Sequence, residues 1–229
     1  MKLLLFDIDG TLLLTHGASM RAMTRAGQLC FGPAFSFDPI ITAGGLDPLL
    51  YQQAMSLAKL PDADRRHSRF RDTYLLELQR ELAAFVHDIT VMPGISALLH
   101  DLHHHHAHHA RLGIVSGNYR AAADIKLHAA DIDPSLFPIT AFGDDGPSRP
   151  ALVQHAIAQH AAHHGNHLQP RDVIVIGDTP HDIACAHAHG CFALAVATGP
   201  YNLATLQSAG ADLALENLAD PAPLLQLLN

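Results

Sequence analysis

The sequence predicts an α/β protein, a doubly wound parallel sheet interrupted by an inserted α-helical domain, and three observations lead there. Short apolar runs at residues 2–6, 111–115 and 173–176 each stop at a polar or turn-forming residue, Asp7, Ser116 and Gly177, as buried parallel strands do. Helical stretches separate and follow them, and strands alternating with helices build a parallel sheet covered on both faces. Residues 15–90 break the alternation, showing helical periodicity and no convincing strand. A chain of 229 residues suits one core with an insertion, since domains run to roughly 100–200 residues.

Taken in order, residues 18–30, 47–60 and 64–85 are the predicted helices of the insertion, bounded by Gly32-Pro33, Gly44-Gly45 and Pro61, with Asp47 and Asp62 as candidate caps. Pro93-Gly94 marks the return to the sheet domain. The expected helices there cover 95–102, 121–130, 150–162 and 182–189, the last closed by Gly190. The expected division is therefore 1–14 with 91–229 as the α/β domain and 15–90 as the helical one.

Composition narrows the function. Hydrophobic residues make up 48% and charged residues 16%, and mean hydropathy is +0.12, which excludes a disordered chain. Lys and Arg number 14 against 22 Asp and Glu, a formal charge of −8 that gives no general reason to bind nucleic acid. Apolar runs fall far short of the roughly 20 residues that span a bilayer, so no membrane association is expected. A lone Lys2 without a small-residue cleavage site argues against a secretory leader. Cys30, Cys185 and Cys191 form no CxxC pair and read as reduced, buried thiols, so a cytoplasmic location is expected. Of the 19 His, eleven cluster at His103 to His106 with His108 and His109, and at His155, His160, His163, His164 and His167. Their protonation would reverse the formal charge on mild acidification, near the sequence pI of 6.1. Both runs fall at expected helix ends and loops, where solvated side chains are the expectation and transition-metal binding the alternative.

The chemistry gathers at strand ends, because the crevice of an open parallel sheet lies beyond the strands' carboxyl ends. Asp7 and Asp9 in FDIDGTLL stand two apart where a strand stops, with Gly10 free to turn the chain. Asp178 and Asp182 in GDTPHD straddle a strand end and a helix start. Four carboxylates around one crevice repel one another unless a cation intervenes, and a hard, oxygen-liking ion such as Mg2+ is the simplest solution.

With FDIDGTLL, LGIVSGN, a basic residue ahead of the last core helices and VIVIGDTPHD in order, the sequence resembles the haloacid dehalogenase superfamily of phosphohydrolases, and more narrowly its phosphoglycolate phosphatase-like members. The resemblance implies a Rossmann-like core and makes the helical insertion a cap. It implies Asp7 as a nucleophile that takes up phosphorus as an aspartyl-phosphate, a carboxylate splitting one hard displacement into two easier ones. Asp9 becomes the general acid and base, a role best served by a raised pKa. Mg2+ is implied on the side chains of Asp7 and Asp178 and the carbonyl of Asp9, with Asp182 behind them. Ser116 and the Gly117 amide, and less firmly Asn118, are implied to bind the phosphoryl group. The commonest pattern has a lysine as its basic residue. The chain has only Lys2, Lys59 and Lys126, and Lys126 stands early, ten positions after Ser116. Arg149 in DDGPSRPAL is favoured for this role, with Lys126 as the alternative; an arginine keeps the charge and adds a bidentate fork but cannot donate a proton. His181, inside the last motif, is expected beside the site or on the surface.

Asp9 argues against haloalkanoate dehalogenation, which needs no acid for an ester leaving group. The expectation is a Mg2+-dependent phosphatase acting on a small, anionic phosphorylated metabolite. The alternatives are a sugar phosphomutase, which keeps the same catalytic residues, and a His-rich metal-binding protein. His16, Arg21 and the Gly44-Gly45-Leu46-Asp47 loop are the positions of the insertion expected nearest the substrate.

Overall fold

The computed structural model describes residues 1–38, 40–61, 63–85, 88–165 and 168–228. Its sheet has six parallel strands: β1 (Lys2–Phe6), β4 (Ala110–Val115), β5 (Ile139–Ala141), β6 (Val173–Gly177), β7 (Phe192–Val196) and β8 (Leu213–Leu215). Their spatial order is β5-β4-β1-β6-β7-β8. β1 lies at the centre, with Phe6 beside Ile114 of β4 and Ile176 of β6. The chain thus reverses direction across the sheet at β1, and the crevice opens where the flanking connections diverge to opposite faces.

Strand periodicity of two divides the core. Leu4 and Phe6 point into one layer with α4 (Ile95–His105), α5 (Arg120–Ala129) and α9 (Ala222–Gln226). Leu3 and Leu5 point into the other, with α6 (Arg149–His164), α7 (Pro180–His187) and α8 (Leu203–Ser208). The doubly wound sheet expected from sequence is present, with three strands, β5, β7 and β8, beyond those anticipated. None of the described helices is long and apolar enough to cross a membrane.

The insertion forms α1 (Ala18–Phe31), α2 (Asp47–Leu57) and α3 (Ala63–Ala84), close to the expected ranges. The expected cap Asp62 lies outside the described residues. Where the chain leaves and rejoins the sheet domain, β2 (Leu13–Leu14) pairs antiparallel with β3 (Thr90–Val91), a two-strand tie at the boundary where sequence showed no strand. Aromatic rings fill the helical unit: Phe70, fully buried, stacks on Tyr51 with centroids 4.6 Å apart and on Tyr74 at 6.4 Å, with Phe31, Phe35 and Phe37 around it. Tyr119 and Ala122 of the sheet domain join this apolar cluster, so the two parts share packing.

Phe70→Ala would leave a cavity that five neighbouring rings cannot close. Urea denaturation should show a loss of about 3–5 kcal/mol, the usual cost of removing a buried Phe; a loss under about 1 kcal/mol would show that this ring does not anchor the helices.

Candidate active site

The β1 end delivers the first two carboxylates. The Asp7 amide still donates to Ile176 O at 2.9 Å, completing the strand pairing, and the chain then coils tightly as the amides of Thr11, Leu12 and Leu13 all turn back to Ile8 O. Gly10 takes a φ of +83°, and a Cβ there would overlap the Asp178 carboxylate, so glycine is required both for the turn and for the close approach of β6. A Cβ at Gly199 would meet the same carboxylate. Asp178 is thus cradled by two bare backbone segments and accepts a hydrogen bond from Thr11 Oγ1 at 3.2 Å.

Oxygens of Asp7, Asp178 and Asp182 lie within 4.8 Å of one another, and all three residues are buried. Arg149, at the start of α6, reaches into this cluster: Nη2 donates to Asp7 Oδ2 at 2.8 Å and to Asp182 Oδ1 at 2.5 Å. Asp182 is fixed from its other oxygen by the amide and hydroxyl of Thr179, at 3.0 and 2.6 Å, in a capping box that starts α7. Burial raises the Asp7 pKa, Arg149 opposes it, and Asp182 and Asp9 add repulsion. Asp178 is pushed up to about 8 by burial and by its neighbours Asp7 and Asp182. Burial works against the charge of Arg149, but Asp182 and Asp7 outweigh it and hold the guanidinium cationic.

Asp9 belongs to a second cluster. Lys126 Nζ donates to Asp9 Oδ1 and Oδ2 at 2.8 and 2.7 Å and to Asn118 Oδ1 at 2.6 Å. Asn118 Nδ2 donates to Asp9 Oδ2 and to Ser116 Oγ, both at 2.8 Å. Both basic residues that sequence offered, Arg149 and Lys126, reach the crevice, one bonded to each carboxylate of FDIDG. Lys126 stands early in sequence, but α5 carries it back to the crevice. Ser116, Gly117 and Asn118 all line the same cavity, of about 400 Å³, as Asp7, Asp9, Lys126, Arg149 and Asp178.

The helical unit closes that cavity through the loop before α2. The Asp47 amide donates to Gly117 O at 2.7 Å, and Asp47 Oδ2 accepts the Tyr119 amide at 2.9 Å. A Cβ at Gly117 would overlap Gly45 O, so these two segments meet backbone to backbone, and a Cβ at Gly44 would overlap the His181 ring. Asp47 therefore does not cap α2, whose N-cap Leu46 has no side-chain bond; its carboxylate clasps the sheet domain instead. Burial pushes the Asp47 carboxyl up to about 7, against the opposing pull of Lys126. His16 lines the cavity with Nε2 3.0 Å from Thr90 Oγ1. Arg21 does not line it: Nε is bound to Glu81 at 2.8 Å and Nη1 to His16 O at 2.9 Å. His181 is exposed.

The His runs lie apart from this cavity. Most of their described members are exposed or half-buried, but the expectation of solvation fails at His160 on α6, which is fully buried with neither ring nitrogen hydrogen-bonded. His160 belongs to the packed face of α6 along with Leu152, Val153 and Ala156, and burial lowers its pKa toward the neutral ring. His167 lies outside the described residues. The model of the haloacid dehalogenase-like hydrolase family matches residues 4–187. The chain belongs to that family. It is 29% identical over 228 residues to the phosphoglycolate phosphatase of Synechococcus elongatus, covering 99% of this chain and 96% of the relative. A hydrolase from Pseudomonas syringae superposes with a TM-score of 0.73 at 21% identity, covering 99% of this chain and 98% of the other. CbbY from Rhodobacter sphaeroides, in its crystal structure in complex with xylulose-(1,5)bisphosphate, gives 0.75 at 18% identity and 96% of each chain. These two likenesses speak for the fold, and the family match and the cyanobacterial relative make this chain a phosphatase-type enzyme.

The two cations of the site should differ in structural weight. Arg149 and both its partners are buried, with side chains 7%, 8% and 5% exposed, whereas the Asp9 side chain is 40% exposed and can be hydrated. In metal-free buffer Arg149→Met should cost about 3–5 kcal/mol in urea denaturation, as loss of a buried partner does. Lys126→Met should cost clearly less, and equal losses would contradict this reading.

Proposed function

We propose that the protein is a Mg2+-dependent phosphomonoester hydrolase of the phosphoglycolate phosphatase-like kind, acting on a small organic phosphate through an aspartyl-phosphate on Asp7. The observation that carries this is the meeting of Asp7, Asp178 and Asp182 at the carboxyl ends of β1 and β6, beside an independently held Asp9. The donor set fits a hard cation: three buried carboxylates, two of them with raised pKa, and a cradle of bare backbone at Gly10 and Gly199. Asp7 and Asp178 with the Asp9 carbonyl would hold Mg2+, and Asp182 would steady them through Arg149. Bound there, Mg2+ supplies charge neutralisation for the carboxylates and the phosphoryl oxygens.

The chain's own groups then divide the work. Asp7 attacks phosphorus, and its carboxylate is aimed by the Ile8 amide on Oδ1 and Arg149 on Oδ2, both at 2.8 Å. Asp9 gives a proton to the departing alkoxide and later takes one from the water that attacks the phosphoryl-enzyme; Lys126 and Asn118 fix the orientation of its carboxylate. Ser116, Gly117 and Asn118 hydrogen-bond the phosphoryl oxygens. Residues 15–90 act as the cap, with 1–14 and 91–229 as the core, and the Asp47 clasp closes the crevice against water. The cyanobacterial relative supports the phosphatase reading along the whole chain.

Phosphate release from p-nitrophenyl phosphate, phosphoglycolate, hexose phosphates and nucleotides should require Mg2+, stop in EDTA and vanish in Asp7→Asn. Asp9→Asn should lower kcat about 10²–10⁴-fold. Because Asp178 must ionise to bind the ion and its carboxyl is raised to about 8, Mg2+ affinity measured by calorimetry should rise with pH from 6 toward 8. Release that survives EDTA or Asp7→Asn would refute the proposal, and interconversion of hexose phosphates without net release would move the assignment to a mutase.

A further inference from the structure

The imidazoles around the end of α4 are not equivalent. Asp101 engages two of them, with His105 Nδ1 2.9 Å from its Oδ1 and His106 Nε2 3.4 Å from its Oδ2. His100, His103 and His104 are exposed and make no hydrogen bond or ion pair among the described residues. Spaced i, i+3 and i+4, they share the face of α4 turned away from the buried Leu98, Leu99 and Leu102. The rings of His100 and His104 have centroids 4.3 Å apart, and His103 stands edge-on to His104 at 4.8 Å.

Paired histidines four apart on one helix face are a spacing that presents two nitrogens to a single ion. With metal–nitrogen bonds of about 2.0–2.1 Å, two imidazoles on one ion hold their centroids about 4.5–5 Å apart. The His100 and His104 rings already lie close to that separation, so rotation about their own side-chain bonds is enough to aim both at a shared ion. The pair also sits in the last turns of α4, where the helix dipole favours a cation. Among the described residues the only three ligand atoms within 4.8 Å of one another belong to Asp7, Asp178 and Asp182, so the α4 site is a two-imidazole chelate completed by water.

The same spacing recurs on α6 at His160, His163 and His164, with His160 and His164 centroids 4.7 Å apart. There His160 is fully buried in the packed face of the helix, which closes that pair to an ion from solvent. The α4 pair is open, and it is remote from the crevice. α4 leads into the first residues of β4, and His109 O accepts the Lys2 amide at the start of β1 at 2.7 Å. The pair therefore stands toward the amino ends of the strands, and the carboxylates at the other.

We propose that His100 and His104 chelate a divalent transition ion of the Zn2+ or Cu2+ class, at a site separate from the carboxylate crevice and independent of the hydrolase reading. Imidazole suits these ions as carboxylate oxygen suits Mg2+, so the two ends of the sheet domain sort metals by ligand type.

The test uses the full chain without a polyhistidine tag, in excess Mg2+. Substoichiometric Cu2+ should give an electron paramagnetic resonance signal split by imidazole nitrogens, a splitting that carboxylate oxygens do not produce. Calorimetric titration with Zn2+ should find a site that weakens as the pH falls below about 6.5, where the rings take up protons. His100→Gln and His104→Gln should each weaken it about tenfold or more, because one arm of a chelate keeps only single-ligand affinity. Both rings are exposed, so neither change removes packing. His105→Gln combined with His108→Gln removes more imidazoles from the same run and should leave the affinity unchanged, as should His164→Gln. Affinity that falls with the number of histidines removed, whichever they are, would overturn the proposal by showing that the run binds as an unstructured tag. Loss on His164→Gln alone would overturn it by placing the site on α6, and a Cu2+ signal without nitrogen splitting would overturn it by placing the ion on oxygen.

Discussion

Mutual repulsion among carboxylates packed into one low-dielectric crevice is the constraint on which the rest of the molecule depends. Asp7, Asp9, Asp178 and Asp182 converge because β1 and β6 are neighbours and both end at the same edge. The chain answers with two cations on separate elements, Arg149 at the start of α6 and Lys126 within α5, each bonded to a different member of the Asp7/Asp9 pair. This division has a chemical consequence. The carboxylate proposed to attack phosphorus is buried, held by a guanidinium that cannot give up its proton, while the one proposed to move protons is half-open to solvent. Two groups of the same type, two residues apart, are thereby set in different environments, which is how one site performs both nucleophilic and acid–base steps.

The backbone makes that separation possible. Asp7 ends a strand and Asp9 lies in the coil that follows, so the turn at Gly10 sends the two side chains toward different partners. The Ser116–Asn118 loop bridges them, with Asn118 touching Asp9, Ser116 and Lys126 while its neighbour Gly117 receives the helical unit through the Asp47 amide. The loop proposed to bind phosphate and the part of the cavity wall built by the helical unit are therefore hydrogen-bonded to one another.

Much of this was legible in the sequence because strand ends in an α/β protein carry their chemistry at fixed places. The apolar runs before Asp7, Ser116 and Gly177 showed three strands and with them the acidic cluster. The alanine-rich β7, FALAV, and β8, LAL, lack the β-branched runs that announce a strand, and β5, ITA, is too short to announce one; they form because the sheet offers them an edge. Spacing could not choose between Lys126 and Arg149, since a basic residue's partner is fixed by where its helix lies in space, and here both helices reach the crevice. Asp47 reads as a helix cap by local sequence and is taken instead by an amide 72 residues away. His160 reads as one of a solvated run, yet its place on the apolar face of α6 buries it. In each case the local signal was real and a long-range contact overrode it.

The most direct test of the account is whether phosphate becomes covalently attached to Asp7 during turnover. Rapid acid quench of the protein mixed with Mg2+ and a hydrolysed ester, followed by proteolysis and mass spectrometry, should find phosphate on the peptide that carries Asp7, and none when EDTA replaces Mg2+. Turnover that proceeds with no phosphorylated peptide, or with the phosphate on another residue such as Ser116, would contradict the division of roles between the two carboxylates.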